Sequence, residues 1–128
     1  MVLGFKKQFE DKILKGSKIH TIREDSNDRW KAGNKIHFAT GVRTKNYNQF
    51  KEGECKSIQT IEIFYGDVKP NLVTVAIDKG IIYSTLLDID FNFLEFVKND
   101  GFDSIESFFD WFDKDFKGKI IHWTDKRY

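Results

Sequence analysis

The sequence predicts an α+β fold: a small β-barrel or curled, mostly antiparallel sheet of five or six strands, flanked by two or three helices. Three observations lead there. Short segments alternate apolar and polar residues with the period of two that a half-buried strand requires, as over 35–40, 57–65 and 72–77. Elsewhere the apolar spacing changes to three and four, the helical step, as over 5–14, 90–98 and 105–116. Finally, the strands are mostly consecutive, and their short connections favour antiparallel pairing. At 128 residues a single domain, 1–128, is expected, large enough to enclose a core.

The elements follow in order. Phe5, Phe9, Ile13 and Leu14 set one apolar stripe, and Gly16 ends the helix because glycine accepts the left-handed conformation of a C-terminal cap. Residues 18–23 read as a strand or near-strand, which puts Thr21 and Arg23 on one face, with Lys18 at the helix-to-strand corner. A polar loop over 24–34 leads to a strand at 35–40. Residues 41–54 show no regular period and read as a long loop, functional or mobile. A strand at 57–65, a turn over 66–71 holding the sole proline, Pro70, and a hairpin of 72–77 with 81–83 come next. A short helix over 90–98 ends at Asn99-Asp100-Gly101. Asp103 and Glu106 have capping-box-like spacing for a helix carrying Ile105, Phe108, Phe109, Phe112 and Phe116. Gly118 closes it, and 119–124 forms the last strand.

Composition narrows the function. Apolar residues make up 40% and charged residues 32%, the profile of a soluble globule, and the 13 Phe supply core volume. The lone Cys55 allows neither an internal disulfide nor a cysteine zinc cluster, which fits a reducing compartment. The early charges of the N-terminal stretch do not suit a secretory signal, and no apolar run reaches membrane-spanning length. A cytoplasmic protein without membrane contact is expected. His20, His37 and His122 lack metal-ligand spacing, so no metal is expected. Net charge is only +1, yet residues 1–60 hold 13 Lys/Arg against 7 Asp/Glu, and residues 61–128 hold 8 against 13. The basic half can meet a phosphate or nucleotide, or the halves can neutralise each other in the fold.

The densest chemistry lies between Ile13 and Asp25. Lys18, Thr21 and Arg23 would bring an amine, a hydroxyl and a guanidinium to one end of an element. A threonine hydroxyl becomes a useful nucleophile only when a base takes its proton, and a lysine serves as that base once burial or a second cation lowers its pKa. Arg23 is suited to be that cation, or a clamp on a carbonyl or phosphate oxygen. A surface turn with a structural threonine is the plainer reading of the same residues.

Gly16, Lys18, Thr21 and Arg23 also form Gly-x-Lys-x-x-Thr-x-Arg, which resembles the signature of the ASCH domain, a family similar to the PUA domains of RNA-modifying proteins. The resemblance continues through Phe9, Asp11, Ile13 and Leu14 on one side and Trp30 to Ile36 on the other. It loosens later, where Asp100-Gly101-Phe102 carries it. Over the first forty residues it is tightest to the small bacterial members that deacetylate acetylcytidine. It implies a PUA-like β-barrel, RNA or a modified nucleoside as partner, no cofactor, and an amidohydrolase mechanism in which Lys18 is base and Thr21 nucleophile. The family's proton-donating glutamate has no clean counterpart. Asp100 lies nearest, one methylene shorter, with Glu95 a weaker substitute; Glu24 and Asp25 are expected to pair with Arg29 or solvent.

Arg43, Lys45 and Tyr47, within a basic and aromatic stretch, suit phosphate pairing and base stacking, and equally a solvated hairpin tip. Trp30 is a candidate stacking surface at the site or its rim, with core packing the alternative. Two functions are therefore carried forward: hydrolysis of the acyl amide of a modified cytidine, and RNA binding without chemistry by a PUA-like module.

Overall fold

A computed structural model describes residues 1–67 and 72–128, so the expected turn over 66–71, Pro70 included, lies largely outside the described residues. The fold is α+β. Nine strands are present among the described residues, rather than five or six, and they form two sheets, neither closed into a barrel. The first sheet has the order β1 (Val2–Phe5), β3 (Lys35–Thr40), β4 (Asn48–Glu54). The second has the order β2 (His20–Arg23), β9 (Phe116–His122), β5 (Ser57–Tyr65), β6 (Val73–Ile77), β7 (Gly80–Ser84), β8 (Ile89–Asp90). Every pairing in it is antiparallel.

Three strands escape the sequence pattern, each for a physical reason. β1 pairs in parallel with β3, Leu3 opposite Phe38, so that Leu3 and Phe5 enter the core by the period of two. Phe5 therefore ends a strand instead of starting a helix; the helical turn begins with a 3-10 segment at Lys7–Phe9 and continues as α1 (Glu10–Leu14). β4 occupies half of the stretch expected to be loop. Its residues are polar and no pattern marks them, but the ladder to β3 satisfies its backbone, with a bulge between Phe38 and Ala39. β8 is only two residues long and rests on β7.

The second half differs at one cap and one boundary. Helix α2 (Phe93–Asn99) ends in a Schellman motif, in which Gly101 N–H donates to Lys98 O (2.9 Å) and Phe102 N–H to Val97 O (3.0 Å). Gly101 has φ +95°, and this turn fixes the position of Asp100. Helix α3 (Ile105–Trp111) starts one residue later than expected: Ser104, not Asp103, is the N-cap, in a reciprocal box with Ser107. The helix stops at Trp111, so Phe116 and Gly118 belong to β9. Gly118 is required there by close approach, since a Cβ would sit 2.5 Å from Arg23 O on β2. The strand ends at His122, and Trp123 turns edge-on to Phe38, ring centres 4.9 Å apart.

The core is aromatic. Phe93 and Phe96 of α2 stack at 5.6 Å, and Phe108 of α3 meets Phe93 edge-on at 5.5 Å. Fully buried Ile61, Ile63, Ile120 and Ile121 close it from the large sheet. Because the Ser104 hydroxyl accepts the Ser107 N–H, Ser104→Ala is expected to cost about 1 kcal/mol in urea unfolding. Asp103→Ala, which touches only an exposed pair with Lys12, should cost clearly less. Equal losses would place the cap at Asp103.

Candidate active site

The end of β1, the 3-10 turn before α1, the lead-in to β2 and the cap of α2 meet at one cavity of about 240 Å³. Its polar lining is Lys6, Lys18, Thr21, Arg23 and Asp100; its apolar walls include Phe5, Phe9, Phe102 and Trp111. Gly16 turns the chain out of α1, and Ile19 N–H donates to Asn99 O (2.8 Å), which brings Lys18 beside the end of α2. From there β2 alternates, placing Thr21 and Arg23 on the cavity side, as the spacing predicts, and His20 on the opposite side.

Lys18 is 2% exposed and Asp100 also 2%. Lys18 Nζ donates to the Asp100 carbonyl at 2.5 Å and lies 3.5 Å from its carboxylate Oδ1. It also sits 4.9 Å from the centre of the Phe9 ring. Thr21 Oγ1 accepts from Arg23 Nε at 3.4 Å, and Arg23 Nη2 donates to Gly4 O on β1 at 2.7 Å. The guanidinium lies 5.0 Å from the Phe5 ring centre. Lysine, threonine and arginine thus share one wall, but the lysine's hydrogen bonds go to Asp100 rather than to Thr21.

Burial lowers Lys18 from 10.5 to about 8 against the opposing pull of Asp100, with the Arg23 charge adding to the lowering. Burial also lowers Arg23, although a guanidinium stays charged at any working pH. Behind Asp100, His20 Nδ1 lies 3.0 Å from Oδ1, and His20 Nε2 lies 2.7 Å from the Tyr128 hydroxyl. Burial, ahead of every other influence, lowers the His20 pKa, so the ring is neutral near pH 7. A lysine able to release its proton, a hydroxyl, a guanidinium and a buried carboxylate in one aromatic cavity can support acyl transfer.

The other expected site residues lie elsewhere. Trp30 is in the core, 8% exposed, and its backbone N–H binds the Asp25 carboxylate at 3.0 Å; it does not line the cavity, because that bond folds the 25–30 loop back on itself. Arg43, Lys45 and Tyr47 are exposed in the β3–β4 connection and do not line it either, since the pairing of β4 with β3 leaves only the hairpin tip as loop. Glu95 is held at the surface by Lys126 (3.2 Å) and Asn92 (2.8 Å). Asp25 accepts the Arg29 backbone N–H at 2.9 Å and pairs with Lys119 at 3.3 Å, away from the cavity. His20 and His122 do meet, ring centres 5.2 Å apart, but Tyr128 and Asp100 take both nitrogens of His20 and Gln59 takes Nε2 of His122. Among the described residues no group of His, Cys, Asp and Glu converges to hold a metal. No helix among them is long and apolar enough to cross a membrane.

The sequence reading missed Phe5, Phe9 and Phe102 as walls, and Trp111, His20 and Tyr128 altogether as site residues. One signal was available. Trp111 lies off the apolar stripe of its helix, so the spacing leaves its ring outside the main core contact, and in the structure it is 44% exposed at the cavity. For Tyr128, distant in sequence and in no motif, there was none. Compared with known proteins, the chain matches no family model, no curated protein and no solved structure.

The depressed Lys18 pKa has a thermodynamic signature. Between about pH 8 and 10.5 the unfolded chain binds more protons at this residue than the folded one, so its contribution to stability rises with pH across that window. The difference in urea stability between wild type and Lys18→Met should shift toward wild type by on the order of 2–3 kcal/mol from pH 8 to 10.5. A flat difference would mean an ordinary lysine.

Proposed function

We propose that this chain is an ASCH-type, PUA-like protein that recognises a modified nucleoside, free or within RNA, and hydrolyses the acyl amide on the exocyclic amine of an acylated cytidine. The observation that carries the reading is the sharing of one buried cavity by Lys18, Thr21 and Asp100, the residues the ASCH resemblance singles out. The aromatic walls suit a planar base, and Arg23 suits an acyl oxygen.

The chemistry runs as acyl transfer in two halves. With its pKa at about 8, Lys18 is neutral in about one molecule in ten at pH 7, enough to accept the Thr21 proton. Thr21 Oγ1 attacks the acyl carbonyl carbon, and Arg23 stabilises the oxyanion. The Lys18 ammonium then protonates the leaving amine as the carbon–nitrogen bond breaks, leaving an acyl ester on Thr21. Water, giving one proton to Lys18, attacks that ester; as the bond to Thr21 Oγ1 breaks, the Lys18 ammonium returns the proton to Oγ1, the carboxylic acid departs and both residues are restored. Asp100 acts here as the partner that holds and balances the Lys18 ammonium, rather than as the direct proton donor to the substrate.

Incubation with acetylcytidine followed by chromatography tests the reading. Wild type should release cytidine, with a rate that climbs toward a plateau above about pH 8. Lys18→Ala should lose about 10²–10⁴-fold in kcat, and Thr21→Ala at least as much. A Thr21→Ala protein with full turnover sinks the mechanism.

A second reading, RNA binding without chemistry, is favoured by exposed Arg43, Lys45 and Tyr47 at the hairpin tip and by the absence of a Lys18–Thr21 hydrogen bond. It calls for salt-sensitive binding of an RNA oligonucleotide that weakens in Arg43→Ala/Lys45→Ala, with no cytidine released. An oligonucleotide that fails to bind even at low salt removes it.

A further inference from the structure

The buried polar chain behind the cavity has a direction, and the direction can be read from its members. Asn99 Nδ2 can only donate, and it lies 3.0 Å from the Tyr128 hydroxyl oxygen, which therefore accepts. The Tyr128 proton is then free for His20 Nε2, 2.7 Å away. With Nε2 accepting, the single proton of the neutral ring stands on Nδ1 and is donated to Asp100 Oδ1 at 3.0 Å. Lys18 approaches that same oxygen at 3.5 Å. Asn99, Tyr128, His20, Asp100 and Lys18 thus form one line of hydrogen bonds, from a partly exposed edge to the floor of the cavity.

We propose that Tyr128 is a positioning residue for Lys18: the Asp100 carboxylate, which can only accept, keeps the His20 proton on Nδ1, the Tyr128 hydroxyl donates to Nε2 and so makes that Nδ1–H a stronger donor, and His20 in turn shares the carboxylate with the Lys18 amine. The proposal rests on the role given to Lys18 above, but its physical content does not need turnover. Each donor to a carboxylate disperses its negative charge. While His20 donates, Asp100 holds the Lys18 ammonium less tightly, and the lysine gives up its proton more readily.

The neighbourhood supports a neutral relay. Lys18 faces Asp100 from the end of α2, Arg23 from β2, Lys12 from α1 and His20 from beside it. His20 faces Asp100, Lys18 and Tyr128, and meets His122 ring to ring. His122, influenced by Arg127 and Asp78, is itself pushed down to about 3 by burial and so brings no charge to His20 near pH 7. Gln59 holds the tyrosine in place, its Oε1 accepting the Tyr128 N–H at 2.9 Å and its Nε2 donating to the Tyr128 carbonyl at 2.7 Å. The Tyr128 ring also packs edge-on to Phe96 at 4.9 Å, so Tyr128→Phe keeps the packing and removes only the hydroxyl.

The test is nuclear magnetic resonance on the free protein. In wild type near pH 7 the imidazole nitrogen shifts of His20 should report protonated Nδ1 and unprotonated Nε2. In Tyr128→Phe the proton should stay on Nδ1, the His20 Nε2 shift should move as expected for loss of an accepted hydrogen bond, and the Lys18 side-chain titration midpoint should move up by about half a unit to one unit. Asn99→Ala, which leaves the hydroxyl but not its orienting donor, should move both in the same direction by less, and carries the test if Tyr128→Phe fails to fold. Wild-type His20 found as the Nε2–H form or as imidazolium overturns the proposal. So does a folded Tyr128→Phe protein with both signals unchanged. Failure to release cytidine, by contrast, would count against the hydrolase reading and leave these signals as they are.

Discussion

The site depends on one buried ion pair. Lys18 and Asp100, 82 positions apart in sequence, face each other with side chains only 3% exposed. Removing two charges from water is expensive, and a pair repays the cost only when the remaining hydrogen-bonding capacity is used. Here it is: the Asp100 carbonyl takes one ammonium proton, and His20 reaches the carboxylate from behind. The pair ties the start of β2 to the end of α2, so the large sheet and the helical layer cannot shift without breaking it. Gly101 belongs to the same constraint, because a Cβ there would come within 2.9 Å of the Lys18 side chain and 3.0 Å of Phe9. The glycine both permits the left-handed turn and leaves room for the lysine to pass.

This arrangement explains why the lysine is poised rather than locked. Alone in an apolar cavity it would lose its proton; paired with a carboxylate in water it would keep it. Burial is the larger influence and Asp100 the main opposing one, with Arg23 tipping the balance further toward release. Arg23 is not a free charge itself, since its contacts to Gly4 O and Thr21 Oγ1 keep it on the cavity wall. The cations therefore occupy fixed places on one side of a small aromatic chamber. That is the preorganisation an oxyanion requires, because donors already in position need no rearrangement as charge develops.

How much of this was legible in the sequence depends on the range of the interaction. Local patterns spoke clearly: the alternation of β2 put Thr21 and Arg23 together, the isoleucines of β5 pointed inward, and the glycine stops after α1 and α2 are where spacing placed them. Asp100 was found through a resemblance and sits beside Lys18. What failed was decided by partners distant in sequence. Nothing in Val2–Phe5 announces a strand without Lys35–Thr40 beside it, and Asn48–Glu54 is polar enough to read as loop until its ladder is seen. Trp30 left the expected site because the Asp25 carboxylate captures its backbone, a contact no periodicity encodes.

The two faces of β2 meet different surroundings, a cavity on one side and a buried polar layer on the other. Thr21 and Arg23 point into the cavity; His20, between the elements behind it, stacks on Phe96 at 5.2 Å and joins the layer of His122, Gln59 and Tyr128. Polar groups are costly in such a layer unless each has a partner, and a nearly complete network tolerates few alternative arrangements. Its one loose end is His122 Nδ1, which finds no partner among the described residues. Gln59 Oε1 accepts the Nε2 proton of the neutral ring, which leaves Nδ1 as an acceptor. A buried acceptor without a partner is a standing cost to the fold. The network is biased toward a single proton arrangement, with His20 directing its hydrogen toward Asp100 and, through it, setting how firmly Lys18 is held.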